Sequence, residues 1–583
     1  MLKGWLKKFP ALLSLLCLLT ILYDLGFDQS DSIASFLLFF YLVGVSVGIL
    51  STLVRYFASK TIKIKRIISF DLLSIAFFLI VIFNRLKLFP DWEFLDHFTH
   101  VNFLYAAVLL LFIREISALQ INFSRTLFNP AQFFVLSFFL IIVLGTLLLL
   151  LPNATIGGIS FMDAAFTSTS AVCVTGLVVV DTGTYFTLFG QVIILILIQI
   201  GGIGIMTFAS YFSYFFSGGS SYENQLVLSD MTSSSKLGEV FSTLKNIILV
   251  TFTLEAIGAL LIFFALDSKE VYSYLDKGFF SIFHSISAFC NAGFSTLGDS
   301  LHAGGFRFNY GLQSIILILF IIGGLGFPIV FNLFNYVSYL FKNRIIPSIL
   351  GKESKQVMPW VINLNSRIVL ITTGILLLVG SSIFFAFEYH NSLEEHTFGG
   401  KIITALFSAA TPRTAGFNTV DLSALNFSTI MLIFLLMWIG ASPASTGGGI
   451  KTSTFAIATL NFWSLARGKD RLELFRREVA EISIRRAFAI ISLSLVVIGM
   501  GIFAIAFFDS DQKLIDIGFE CFSAYSTVGL SLGITESLSD PSKFVIIMLM
   551  FTGRVSMLSI LIAITNKEKR KHYRYSQEEI LIN

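Results

Sequence analysis

The sequence predicts an all-α polytopic membrane protein of four pseudo-symmetric units, preceded by about four further transmembrane helices. Three observations carry that prediction. Hydrophobic residues make up 55% of the 583 and charged residues only 13%, and the mean hydropathy of +0.83 lies far outside the range of water-soluble domains. Apolar stretches near the roughly 20 residues that cross about 30 Å of hydrocarbon recur from end to end, leaving no length for a soluble catalytic domain. One block of sequence, finally, returns four times at nearly constant spacing.

Spans at about 9–27, 32–57, 66–86 and 96–117, followed by eight more from residue 131, leave connections that alternate in charge. Segments on the side of the N-terminus hold 29 Lys/Arg against 12 Asp/Glu, with clusters at Arg55 to Arg66, Lys342 to Arg367, Arg467 to Arg486 and Lys567 to Arg574. The opposite side holds 9 Lys/Arg and 22 Asp/Glu. The positive-inside rule then places both termini in the cytoplasm, as an even number of twelve spans requires. The opening MLKGWLKKFPALLSLLCLLTILYDLGF starts like a signal peptide. No small-residue cleavage pattern follows Leu25-Gly26-Phe27, so it reads as the first transmembrane helix. The basic clusters suit topology and anionic lipid, and nucleic acid is not implied. Cys17, Cys173, Cys290 and Cys521 lack any paired spacing and read as packing residues. The seven histidines form no ligand cluster and no nucleophile–base pattern appears, so the chain does not read as an enzyme; His284 reads as packing.

The repeat is found by superposing glycines. SAVCVTGLV, SAFCNAGFS, ATPRTAGFN and SAYSTVGLS align on Gly176, Gly293, Gly416 and Gly529, so one unit of nearly constant length recurs four times. Ten residues before each of them stand the large apolar side chains Phe166, Phe283, Leu406 and Phe519; nearer the glycines, again in register, stand Ser170, Ser287, Ala410 and Ser523. A second glycine follows each after the length of one further helix: Gly201, Gly323, Gly440 and Gly553. Each unit thus reads as helix, short amphipathic segment, polar glycine loop, helix. Segments such as FMDAAFTSTSAV are too short to span and too apolar for loose loops, which suits re-entrant helices. Non-helical backbone at membrane depth is tolerated only where protein buries it or it lines an aqueous path, so four such loops point to one central pore. Glycine lets carbonyl oxygens turn inward together and replace the hydration shell of a monovalent cation.

A different irregularity lies at GASPASTGGGIKTSTF, Gly440 to Phe455. It is not a phosphate-binding loop, because Ile450 separates Gly449 from Lys451. A helix from about Ser428 to Leu465 would measure roughly 57 Å, about twice the hydrocarbon thickness, so it must break. Pro443 and Gly447 to Gly449 break it, leaving an intramembrane loop whose hydroxyls at Ser442, Ser445, Thr446, Thr452 and Ser453 bind freed backbone or water in a wet cavity. Lys451 and Arg554 are the two basic residues left at membrane depth, each costing about 2.5–3.5 kcal/mol unless hydrated or paired. Arg413 is expected to pair with Asp421 or Glu520 and brace the third loop. Asp163, Asp181, Asp299 and Asp421 are expected around the outer mouth, where they raise local cation concentration.

The fourth loop, Ser526-Thr527-Val528-Gly529-Leu530, resembles the Thr-Val-Gly-Tyr-Gly filter of potassium channels. Together the four loops and GGGIKTSTF resemble the membrane subunit of the Trk/Ktr family of bacterial potassium transporters over about residues 128 to 566. The resemblance implies a potassium filter made from backbone carbonyls of Val174, Thr175, Gly176 and Leu177; Asn291, Ala292, Gly293 and Phe294; Thr414, Ala415, Gly416 and Phe417; and Thr527, Val528, Gly529 and Leu530. It implies a gate made by Gly447, Gly448 and Gly449 with Lys451 and Arg554, the arginine projecting beneath the filter as an electrostatic barrier. No loop has the full Tyr-Gly ending, so fewer ordered carbonyl layers are expected than in a channel. Domains follow as an extension at 1–127, pore units at 128–218, 240–345, 365–465 (gate loop 440–453) and 484–566, and a basic cytoplasmic tail at 567–583. Potassium is the transported ion and no organic cofactor belongs to the chain. The implied partners are a second copy in a homodimer, a cytosolic nucleotide-binding regulatory subunit and the lipid bilayer of the bacterial cytoplasmic membrane. The competing reading is a sodium- or proton-coupled cation carrier with weaker potassium selectivity. Such carriers usually show two inverted repeats, whereas the four units here share one orientation.

Overall fold

A computed structural model describes residues 2–58, 65–86, 100–118, 130–204, 240–266, 274–340, 363–443 and 445–564. The tail at 567–583, most of the Lys342 to Arg367 cluster and the outer ends of several expected units lie outside those residues.

Among the described residues the chain opens with four helices: α1 (Leu2–Gly26), α2 (Asp31–Ala58), α3 (Lys65–Arg85) and α4 (Val101–Ala118). Cys17, Tyr41, Val45, Leu104 and Val108 are fully buried between them. Lipid tails are as apolar as leucine, so such a bundle is held by close packing and polar pairs rather than by exclusion of water. Both are present. Gly44 lies against Cys17 and Gly48 against Leu111, while Arg114 grips Asp71 through bonds of 2.5 and 2.9 Å and Tyr56 donates to the same carboxylate at 2.6 Å. Arg55 pairs with Glu115, and Tyr105 donates to Asp24 at 2.6 Å. The bundle meets the first pore unit where Asn153 donates to the Leu25 carbonyl at 3.2 Å.

The first unit comprises α5 (Pro130–Leu149), the pore helix α6 (Phe161–Cys173) and α7 (Leu188–Ile203). The second comprises α8 (Val240–Ala265), α9 (Tyr274–Phe289) and α10 (Tyr310–Leu325), continued at a bend of 105° by α11 (Phe327–Leu340). The third comprises α12 (Leu364–Glu388), α13 (Phe398–Ala410), α14 (Phe427–Trp438) and, after a loop, α15 (Thr452–Ala466). The fourth comprises α16 (Glu481–Phe508), α17 (Leu514–Ser526), α18 (Asp540–Val555) and α19 (Met557–Ile564). Local chemistry sets several starts: Ser160 caps α6 by accepting the Asp163 N–H at 3.1 Å, and Thr397 caps α13 by accepting that of Gly400 at 3.2 Å.

Among the described residues α1, α2, α8, α12 and α16 are long and apolar enough to cross a membrane alone, with α10–α11 a sixth if the bent pair counts as one. A break lies past each of the four glycine loops. Helices α7, α10, α14 and α18 run only 16, 16, 12 and 16 residues before the chain turns, at Gly204 (φ 83°), Gly326 (φ 83°), the 439–451 loop and Ser556 (φ 71°).

Each second helix packs on the pore helix of the next unit: α7 on α9, α10 on α13, α14 on α17 and α18 back on α6. The ring is therefore closed, and Lys543 of α18 pairs with Asp163 of α6 at 2.7 Å across the last seam. Inside each unit a small residue lets first and second helices approach. Gly145, Gly258, Gly380 and Gly501 lie against Leu197, Leu319, Leu436 and Leu549, each leucine one helical turn before the second repeated glycine. This small-against-large match is a further element of the repeat, hidden in the sequence because its glycine drifts in register relative to the filter.

Candidate functional site: a ring of four loops and the loop beneath it

The pore helices all end at the ring, so their C-terminal dipoles direct partial negative charge toward it. Past each helix the backbone takes the same path four times. Val174, Asn291, Thr414 and Thr527 adopt left-handed φ of 57°, 60°, 73° and 49°, and the glycines two positions on adopt 90°, 70°, 79° and 93°. A residue in the extended or right-handed range separates them, so the chain alternates handedness and successive carbonyls can face one side. Three of the four non-glycine residues are β-branched, and holding one in that conformation costs on the order of 1–3 kcal/mol.

The glycines are required twice over. A side-chain carbon on Gly176 would strike the Ala292 carbonyl, one on Gly293 would lie 2.9 Å from the Gly416 Cα, one on Gly416 would strike the Val528 carbonyl and one on Gly529 the Thr175 carbonyl. Each loop abuts the next in the order 176, 293, 416, 529 and back to 176. The carbonyls of Thr175, Ala292, Ala415 and Val528 thus converge from four sides, a donor set suited to a dehydrated monovalent cation.

Hydroxyls tie the loops to the pore helices in two ways. Ser170 and Ser523 accept the N–H of Gly176 and Gly529, each at 3.1 Å. Ser287 and Thr411 instead donate to the carbonyls of Phe294 and Phe417, at 2.7 and 2.6 Å. The third unit has Ala410 in register with the serines, and Thr411, the next position along, supplies the missing hydroxyl. His284 packs as expected, stacked on Phe280 at 3.9 Å, and its Nε2 also lies 2.9 Å from Ser295 Oγ just beyond the second loop. The four cysteines are buried and free.

On one side of the ring lies a cavity of about 280 Å³, lined by the four glycines and by Asp181, Asp299 and Glu536. Glu536 is an addition to the expected mouth acids. Asp163, which is one of them, serves the Lys543 pair instead. Arg413 is corrected as well: its Nη2 donates to Thr373 at 3.4 Å, while Asp421 accepts from Ser423 and Glu520 from Ser531 and Thr535. The proline at 412 and the turn that follows point Arg413 toward α12, away from both carboxylates.

The other side of the ring is covered by the 439–451 loop. Its ends are joined by a bridge between Ile439 and Ile450; Ser442, Thr446, Gly447 and Gly448 are buried, while Pro443, Ser445 and Gly449 are partly exposed. It packs on the ring because three glycines leave no side chain between the two. Gly447 lies against Thr414, Gly448 against Thr527 and Gly449 (φ 67°) against Ser526. Ser445 binds the Ser442 carbonyl at 2.6 Å, one of the expected hydroxyl caps. Lys451 Nζ folds back on the Gly447 carbonyl at 2.5 Å, and Arg554 donates to the Thr446 carbonyl and, at 2.5 Å, to that of Gly201. All five residues expected at the gate, Gly447, Gly448, Gly449, Lys451 and Arg554, therefore meet directly beneath the ring.

Comparison with known proteins agrees with this architecture. The family model of TrkH, a cation transport protein, matches residues 101–573. The chain is 36% identical over 455 residues to the Ktr system potassium uptake protein B of Bacillus subtilis, covering 78% of this chain and 96% of the relative. It is 33% identical to the potassium/sodium uptake protein NtpJ of Enterococcus hirae, covering 79% and 98%. The crystal structure of the potassium transporter TrkH from Vibrio parahaemolyticus superposes with a TM-score of 0.58 at 17% identity, over 84% of this chain and 97% of that one, and so supports the fold. These matches leave most of the first hundred residues as an addition to the shared core. The chain belongs to the TrkH family of cation transport proteins, membrane transporters rather than enzymes.

Proposed function

We propose that this protein takes up potassium across the bacterial cytoplasmic membrane, with both termini inside. The observation that carries the reading is the fourfold backbone: eight left-handed residues in a closed ring bring four carbonyls to one point where no side chain fits. The segments Val174–Leu177, Asn291–Phe294, Thr414–Phe417 and Thr527–Leu530 form the filter. A potassium ion entering from the acidic cavity exchanges water for these carbonyls, aided by four pore-helix dipoles. Electrostatic focusing by Asp181, Asp299 and Glu536 raises the local cation concentration.

The 439–451 loop is the gate. Its glycines close the path beneath the filter, and Arg554 pins it to the first unit while placing positive charge below the ring. Removing the loop from the path requires breaking those bonds, work that a cytosolic nucleotide-binding subunit supplies by moving the breaks that follow each second helix. The membrane subunit works as a homodimer, in line with the family resemblance.

The test is rubidium uptake in a bacterial strain stripped of its own potassium importers, with and without a co-expressed regulatory subunit. Growth on low potassium and saturable rubidium uptake support the reading. No uptake under either condition, with the protein present in the membrane, refutes it.

A further inference from the structure

The loop beneath the ring is held by filter residues as well as by Arg554. Thr446 donates from its hydroxyl to Asn291 Oδ1 at 3.2 Å, and Asn291 Nδ2 donates to Thr414 Oγ1 at 3.4 Å. The backbone N–H of Gly448 donates to Thr527 Oγ1 at 2.9 Å. Asn291, Thr414 and Thr527 are the left-handed residues that end the filter on its loop side, and all three are at most 1% exposed. The fourth residue of that layer, Val174, has no polar group to offer. In its quarter Arg554 reaches from the Thr446 carbonyl to Gly201 instead. Thr446 is thus gripped at both ends, its carbonyl by the gate arginine and its hydroxyl by the filter.

We propose that the side chains of Asn291, Thr414 and Thr527 form a latch that couples the inner layer of the filter to the gate, with Thr446 as the latched residue. They are positioning residues: their side chains fix the loop. A hydrogen bond that exists only while the loop covers the ring stabilises the closed form alone, so its loss shifts the population toward the open form. Because Thr414 and Thr527 also hold strained backbone, release of the loop frees the side chains that brace that layer, and opening and filter geometry change together. The inference rests on the reading of the 439–451 loop as the gate.

The test is radioactive rubidium influx into liposomes containing only the purified full-length protein. Thr446→Val keeps the shape and removes the hydroxyl; Asn291→Ala removes its acceptor. Each is expected to raise influx about three- to tenfold, the range one buried hydrogen bond supports. The double variant is expected to rise no further than Asn291→Ala alone, since that change already removes the bond lost in Thr446→Val together with its own to Thr414. Thr446→Ser restores the hydroxyl and returns influx to the wild-type level. Unchanged influx in Thr446→Val, or a double variant whose effect is the product of the two singles, overturns the latch. A variant lacking Gly447 to Gly449 separates the two failures: raised influx there with none in Thr446→Val leaves the gate standing without the latch, whereas wild-type influx in the deletion removes both.

Discussion

The ring and the loop beneath it differ in how often the chain builds them. The left-handed residue followed two positions on by a left-handed glycine is made four times, whereas the covering loop is made once, in the third unit. A coordination shell needs equal donors on every side, but one obstacle is enough to block a path. On the proposed reading, the repeat is kept where the ion is bound and abandoned where it is stopped.

Even the ring is less than fourfold in its supports. The Gly-Leu loops of units one and four take a hydroxyl as acceptor for the glycine N–H, while the Gly-Phe loops of units two and three use a hydroxyl as donor to the phenylalanine carbonyl. The ring therefore consists of two adjacent pairs, and substitution can ask which symmetry matters.

The largest effect is expected from Gly529→Ser. Its φ of 93° and the Thr175 carbonyl leave no room for a side chain, so potassium-over-sodium selectivity in competitive rubidium uptake should fall about a hundredfold or uptake should cease. Equal losses for the serine substitutions at Gly176, Gly293 and Gly416 would establish that the ring acts as one shell. Arg554→Ala comes next. Losing two charge-assisted bonds, each about 1.5–3 kcal/mol, should raise influx in the absence of any regulatory partner at least tenfold. No rise would place the barrier elsewhere.

Smaller changes sharpen the two-pair view. Ser523→Ala and Thr411→Val should each lower the potassium-to-sodium ratio about two- to fivefold, the cost of one hydrogen bond of roughly 1 kcal/mol, and the double variant should show independent effects because different loops are involved. The smallest effect concerns Asp421, an exposed residue that precedes Leu422 of the outer cavity without lining that cavity itself. The Ser423 hydroxyl, donating at 2.6 Å, holds its carboxyl below the usual carboxylate range. Its charge is therefore present above that range and lost only as pH falls through the lowered value. Asp421→Asn should reduce uptake less than about twofold at low ionic strength, by the same factor at pH 5 and pH 8.

Much of this is legible in the sequence, for physical reasons. The filter glycines are forced by backbone contact, so the near-constant interval from Gly176 to Gly293, Gly416 and Gly529 marks the units directly, and Pro443 with three glycines marks the broken helix. Left-handed Val174, Asn291, Thr414 and Thr527 leave no such trace, because nothing in a valine or threonine announces a conformation it disfavours. The hydroxyl of Thr411 hides one position out of register, and Arg413 finds a partner other than the expected carboxylates because a turn, not a distance along the chain, decides where it points. The loop's packing against the ring is equally hidden, since that contact depends on Thr527, far along the chain.

The clasp between Lys543 and Asp163 joins positions 380 residues apart, so during synthesis at about 5–20 residues per second the first pore helix waits roughly twenty to eighty seconds for its counterpart. Until then three quarters of a shell stand in the bilayer with one flank uncovered. The ring of four loops is thus the last part of the molecule to be completed, because its closing seam waits for the fourth unit.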